Sequence, residues 1–91
     1  MVLGVLEHNA YSQTEVPLVP GDRLLLFTDG ITEAGSHEGR EFGDERLVEV
    51  AAAHRHLPAA ALLESVWNEV SSFARGVFAD DATLIAIGVR S

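Results

Sequence analysis

The stretch Gly21-Asp22-Arg23-Leu24-Leu25-Leu26-Phe27-Thr28-Asp29-Gly30 limits what this chain can fold into more than any other part of it. A turn pair opens it, four consecutive apolar residues follow, and a carboxylate and a glycine stand where the apolar run stops. A strand with one wet face alternates apolar and polar residues; Leu24 to Phe27 do not, so this strand must be covered on both faces. An aspartate fixed at the end of a rigid strand is placed to grip a cation. Gly30 has no Cβ and tolerates a sharp turn beside a ligand. Asp-Gly pairs also make plain turns. Both readings of Asp29 and Gly30 stand at this point.

A chain of 91 residues makes one domain or a piece of one. Its 47% hydrophobic content supports a core and excludes a disordered chain. Cysteine is absent, so neither a disulfide nor a thiolate metal site can add stability. Fourteen acidic residues against six basic give a net charge of −8. Nucleic acid and anionic membranes call for basic stripes, so neither is an expected partner. No apolar run approaches the roughly 20 residues that span a bilayer, and no basic-then-apolar leader opens the chain. A soluble, cytoplasmic chain is expected.

Taken in order, Val2 to Leu6 reads as a strand end or a buried loop. Glu15 to Val19 alternates loosely, and Pro17 pushes it toward a sheet edge. Pro20-Gly21-Asp22 makes a tight turn into the strand Arg23 to Thr28, so the two segments are expected to form an antiparallel hairpin. Ile31 to Ala34 reads as a brief continuation, and Gly35 to Arg40 as an exposed loop. Phe42-Gly43-Asp44-Glu45-Arg46-Leu47 opens a helix: with Gly43 as N-cap, Phe42 and Leu47 fall at the spacing of a hydrophobic staple, and two acids meet the positive helix end. Leu47, Val48, Val50 and Ala51 are its expected buried side, fading near His54. Pro58 starts a second helix whose apolar face is Leu62, Val66, Val70 and Phe73, with Leu63 and Trp67 beside it; Gly76 ends it. Thr83 to Val89 is the last strand. The result is an α+β fold, an antiparallel sheet with two packed helices.

Asp29 closes one apolar strand, and Asp80-Asp81 precedes another. If the two strands are antiparallel neighbours, these carboxylates gather at one rim of the sheet. Carboxylates held that close repel unless a proton or cation intervenes. An oxygen-only cluster selects a hard cation such as Mg²⁺ or Mn²⁺. Asp80-Asp81 would equally serve as a solvated turn.

The run from Leu18 to Ala34 closely resembles a signature of the metal-dependent PPM (type 2C) protein phosphatases, in their bacterial SpoIIE-like branch. Glu41-Phe42-Gly43-Asp44-Glu45-Arg46-Leu47 and Asp80-Asp81-Ala82-Thr83-Leu84 look like that branch's next two blocks, in order, and Leu3-Gly4-Val5 resembles the segment before them. The resemblance implies a four-layer α-β-β-α sandwich and hydrolysis of phosphoserine or phosphothreonine in proteins, with two Mn²⁺ or Mg²⁺ ions. It makes Asp29 and Asp80 metal ligands, Asp81 the polar neighbour included with them, and Gly30 the turn glycine of the site. The implied substrate is a phosphorylated anti-anti-sigma-type regulator. The remaining metal-binding acids of that family lie in an N-terminal half for which this chain has no counterpart. Residues 1–91 therefore read as the C-terminal portion of the domain, inactive alone. The alternative is a non-catalytic module of the same fold, acting by partner binding or self-association.

Other chemistry finds less support. His54 and His56 would point to different sides of a helix, and His8 and His37 fall in loops, so these read as surface histidines. Trp67 reads as core within a helical stripe. Ser71-Ser72 has no paired His and Asp.

Overall fold

A computed structural model describes residues 3–7, 17, 19–78 and 82–88. The elements in order are strand β1 (Leu3–Glu7), strand β2 (Arg23–Phe27), a single helical turn α1 (Asp29–Thr32), a 3₁₀ turn (Ser36–Glu38), helix α2 (Asp44–Ala53), helix α3 (Ala59–Ala74) and strand β3 (Leu84–Gly88). The class is α+β as expected, but the sheet is mixed rather than wholly antiparallel. Its order is β1-β2-β3, with β1 parallel to β2 and β3 antiparallel to it.

The apolar run dictates this arrangement. With Leu24 to Phe27 all buried, β2 has no face for water, and it takes the middle of the sheet. Leu25 and Phe27 face the helices in one core with Leu47, Ala51, Leu62, Val66, Val70 and Ala74, while Leu3, Val5, Leu84 and Ala86 border it. Leu24 and Leu26 point the other way. They are 1% and 7% exposed and lie in register with Ile87 and Ile85.

Both edges of β2 are occupied over Arg23–Phe27, so the expected hairpin with Glu15 to Val19 has no place on it. Pro17 and Val19 are exposed and irregular, and the rest of that segment lies outside the described residues. The turn itself forms. The Asp22 amide donates to the Val19 carbonyl at 3.0 Å, and Gly21 at φ 91° supplies the positive φ that the third turn position after Pro20 requires. Asp22, 4% exposed, also accepts from the Val19 amide at 3.0 Å. Arg23 then ties the turn to the α2–α3 corner: Nε donates to the Leu57 carbonyl at 3.1 Å, and one terminal nitrogen to the carbonyls of Gly21 and Asp22.

The helices begin and end close to where the residues direct. Gly43 is the N-cap of α2, and the staple residues Phe42 and Leu47 are both in the core. Val48 does not join the buried side. It is 48% exposed, because Leu47, Val50 and Ala51 already fill the face toward α3 and the sheet. Helix α3 buries Leu62, Val66, Val70 and Ala74, a stripe that repeats every four residues. Trp67 sits off that stripe at 37% exposure and is not core; it stacks on Phe78, with ring centroids 5.4 Å apart. At the end of α3 the Gly76 amide reaches the Ser71 carbonyl and the Arg75 amide that of Ser72. Arg75 takes the capping position in the left-handed region, at φ 55° and ψ 35°, and Gly76 follows it at φ 75°.

Two substitutions test this packing. A Cβ on Gly35, at φ 88°, would stand 2.5 Å from a Phe73 ring carbon and 2.6 Å from the Arg40 carbonyl oxygen. Gly35→Ala should therefore cost about 2–4 kcal/mol in urea unfolding, from backbone strain and overpacking together. Arg75→Gly should raise stability by about 0.5–1 kcal/mol, since it relieves a left-handed side chain. It gives up only an exposed 3.7 Å ion pair with Glu38, and such pairs contribute little.

Candidate functional site

The strand pairing on which the expected rim depends is present: β2 and β3 are antiparallel neighbours. The ladder pairs Phe27 with Leu84, and two more bonds extend it by one step. The Thr28 amide donates to the Thr83 carbonyl at 3.1 Å, and the Thr83 amide donates to Thr28 Oγ1 at 3.0 Å. The end of β2 is thus clipped to the residue that enters β3. Asp80 and Asp81 lie outside the described residues, so their side chains have no assigned place at this rim.

Asp29 follows the clip directly. The chain does not continue as a strand through Ile31 to Ala34. At Asp29 it winds into the single turn α1, with Thr28 as its extended N-cap. Ile31 and Ala34 drop into the core, and this burial holds the turn. The Asp29 carbonyl is engaged, accepting from the Glu33 amide at 2.8 Å and from Thr32 Oγ1 at 3.3 Å. Its carboxylate is exposed and makes no hydrogen bond or ion pair with any described residue. Gly30 is buried within the helical turn and does not use a left-handed conformation. The backbone is therefore fixed, while the carboxylate has no partner among the described residues.

Beside Asp29 lies an open cavity of about 320 Å³ lined by Val5, Glu7, Phe27, Asp29, Thr32, Asp44, Leu47 and Val48. Glu7 reaches it because parallel pairing sets Glu7 opposite Phe27 at the same end of the sheet. Asp44 reaches it from the first turn of α2. The sequence reading did not bring these two acids to the rim, and it missed the threonine clip. Glu7 could be placed only by knowing that β1 runs parallel to β2. Thr28 just after β2 and Thr83 just before β3 were a local signal for the clip. Among the described residues no three acidic or histidine side chains stand together as a metal site. The described part thus supplies one free carboxylate with hard oxygen donors and not a full ligand set.

The family model for stage II sporulation protein E (SpoIIE) matches residues 1–90. The chain belongs to the SpoIIE family. This is the PPM-type phosphatase domain family, so the chain is of phosphatase lineage. Protein IcfG of Synechocystis sp. is 28% identical over 86 residues, which cover 93% of this chain and 13% of IcfG. The chain therefore spans only a small part of that relative's length. No solved structure matches the chain significantly. As a SpoIIE-family chain it is related to enzymes that use Mn²⁺ or Mg²⁺ and act on phosphoproteins. No helix among the described residues is long and apolar enough to cross a membrane.

The clip carries its own test. Thr28→Val keeps the shape of the side chain but removes the acceptor for the Thr83 amide. Hydrogen exchange at Thr83 should accelerate while the amide of Leu25, in the strand centre, stays protected. The loss in global stability should be about 0.5–1 kcal/mol, as for one partly solvated hydrogen bond.

Proposed function

We propose that this chain is the C-terminal portion of a PPM-type serine/threonine phosphatase domain and supplies its C-terminal metal-binding aspartates. Asp29 and Asp80 are the direct ligands in this reading, with Asp81 beside them. The observation that carries it is the antiparallel pairing of β2 with β3, clipped at Thr28 and Thr83, in a SpoIIE-family chain. That pairing supports a meeting of Asp29 with the segment just before β3. The Asp29 carboxylate on a fixed backbone supports a ligand role, because among the described residues no partner competes for its oxygens. When bound, Mn²⁺ or Mg²⁺ would polarise the phosphoryl group and acidify a bound water. The chain's own part is to present hard oxygen donors at one rim without spending them on internal hydrogen bonds.

The sheet's second face supports the placement in a larger domain. Leu24, Leu26, Ile85 and Ile87 make it apolar; Leu24 and Leu26 are already buried, while Ile85 remains 45% exposed. In a four-layer sandwich such a face meets a second sheet. The proposed reaction is hydrolysis of phosphoserine or phosphothreonine in a protein, with a phosphorylated anti-anti-sigma-type regulator as substrate. In this reading the chain alone is inactive, because the remaining metal-binding acids belong to the other half of the domain. A second reading, a non-catalytic module that binds a partner, draws on the exposed Trp67, Val77 and Ile85.

Titration calorimetry with Mn²⁺ separates the two readings. Weak binding is expected in the native chain and none in Asp29→Ala. The same variant should unfold within about 0.5 kcal/mol of the native chain, because the Asp29 side chain makes no hydrogen bond or ion pair among the described residues. Equal Mn²⁺ binding by both proteins would remove Asp29 from the site, and loss of the fold would make Asp29 structural.

A further inference from the structure

The register that pairs Phe27 with Leu84 sets Thr28 directly opposite Thr83, one step past the ladder. Opposed residues in a hydrogen-bonded antiparallel pair exchange two bonds, each amide donating to the other's carbonyl. The first of these is present: the Thr28 amide donates to the Thr83 carbonyl at 3.1 Å. The Thr28 carbonyl, however, is turned into α1, where it accepts from the Ile31 amide at 2.9 Å. The Thr83 amide donates instead to Thr28 Oγ1 at 3.0 Å. The hydroxyl thus takes the place of a carbonyl that the helical turn has claimed.

This exchange lets a strand end and a helical turn begin at one residue without opening the ladder. It needs a short side chain that carries an acceptor, as serine and threonine do. Asp29 is the next residue, so its main chain is held from behind by Thr28 and from ahead by the Glu33 amide at 2.8 Å. Its exposed carboxylate offers the hard oxygens that suit Mn²⁺ or Mg²⁺. The bond from Thr83 to the Thr28 hydroxyl is itself exposed to solvent and contributes little to global stability. Its loss should disturb the placement of Asp29 more than the fold.

We infer that Thr28 is a positioning residue for Asp29. By holding the Thr83 amide, its hydroxyl fixes where Asp29 stands against the chain entering β3, and so sets the affinity for a divalent cation without touching the cation. This deepens the phosphatase reading and rests on it for the cation. In that reading the next ligand comes from just before β3, so the clip spans the gap between two donors.

The test follows Mn²⁺ affinity by electron paramagnetic resonance and, in EDTA, amide exchange at Ile31 and Glu33, in Thr28→Val and Thr28→Ser. Valine keeps the branched shape and lacks the acceptor; serine keeps the acceptor. Thr28→Val should bind Mn²⁺ about tenfold more weakly, the usual size of effect when a group that orients a ligand is lost. Thr28→Ser should stay within about twofold of the native chain, and Ile31 and Glu33 should exchange faster in the valine variant alone. Leu57→Ala lies at the opposite end of β2, where Arg23 meets the α2–α3 corner. It should lower stability at least as much and leave Mn²⁺ affinity within about twofold. Native affinity in Thr28→Val would overturn the inference, and so would an equal loss in Thr28→Ser or in Leu57→Ala. Absence of Mn²⁺ binding by the native chain would instead sink the phosphatase reading. Exchange at Ile31 and Glu33 would then decide for Thr28 by itself, and unchanged rates in Thr28→Val would overturn its positioning role.

Discussion

Burial of β2 on both faces is the constraint that everything else answers. Four consecutive apolar residues cannot sit at a sheet edge or on a wet surface without exposing a large area to water. They therefore take the central position, with β1 and β3 as flanking strands and α2 and α3 as cover on one face. The arrangement beside Asp29 is a by-product of the same demand. A central strand needs a neighbour on each side, and both neighbours bring chain to the end where β2 stops at Asp29. One brings Glu7, and the other brings Thr83.

Much of this was legible in the residues. The α2 start was visible because a staple and a cap are local features: Phe42, Gly43 and Leu47 announce a helix with no knowledge of the partner. The four-residue stripe of α3 was legible for the same reason. Strand partnership was not, since it is a long-range fact. Glu15 to Val19 and β2 are joined by a good turn, and a turn argues for a hairpin, but pairing is decided by which neighbour buries more of β2. The parallel neighbour β1 won one edge and β3 the other. Trp67 and Val48 were misjudged at the flanks of their stripes, where a small rotation of the helix decides between core and surface.

The candidate site divides in the same way. Asp29 was legible as the end of an apolar run, and the antiparallel neighbour that its role required is present. What makes its carboxylate available was hidden. The helical turn α1 satisfies the Asp29 backbone through Glu33 and Thr32 and is anchored by Ile31 and Ala34 in the core. Family membership adds phosphatase lineage to that geometry, and the geometry explains why an exposed acid is held in one position.

The stacked pair of Trp67 and Phe78 gives the molecule a built-in optical reporter. Trp67 is the sole tryptophan of the chain. It touches Phe78 on one side, and with Ala82 and Thr83 it lines an open groove of about 430 Å³. Its indole thus borders both ends of the segment that carries Asp80 and Asp81. A change in the placement of Phe78, Ala82 or Thr83 changes the surroundings of this one fluorophore. Its emission can be followed without a label, against a background free of other indoles.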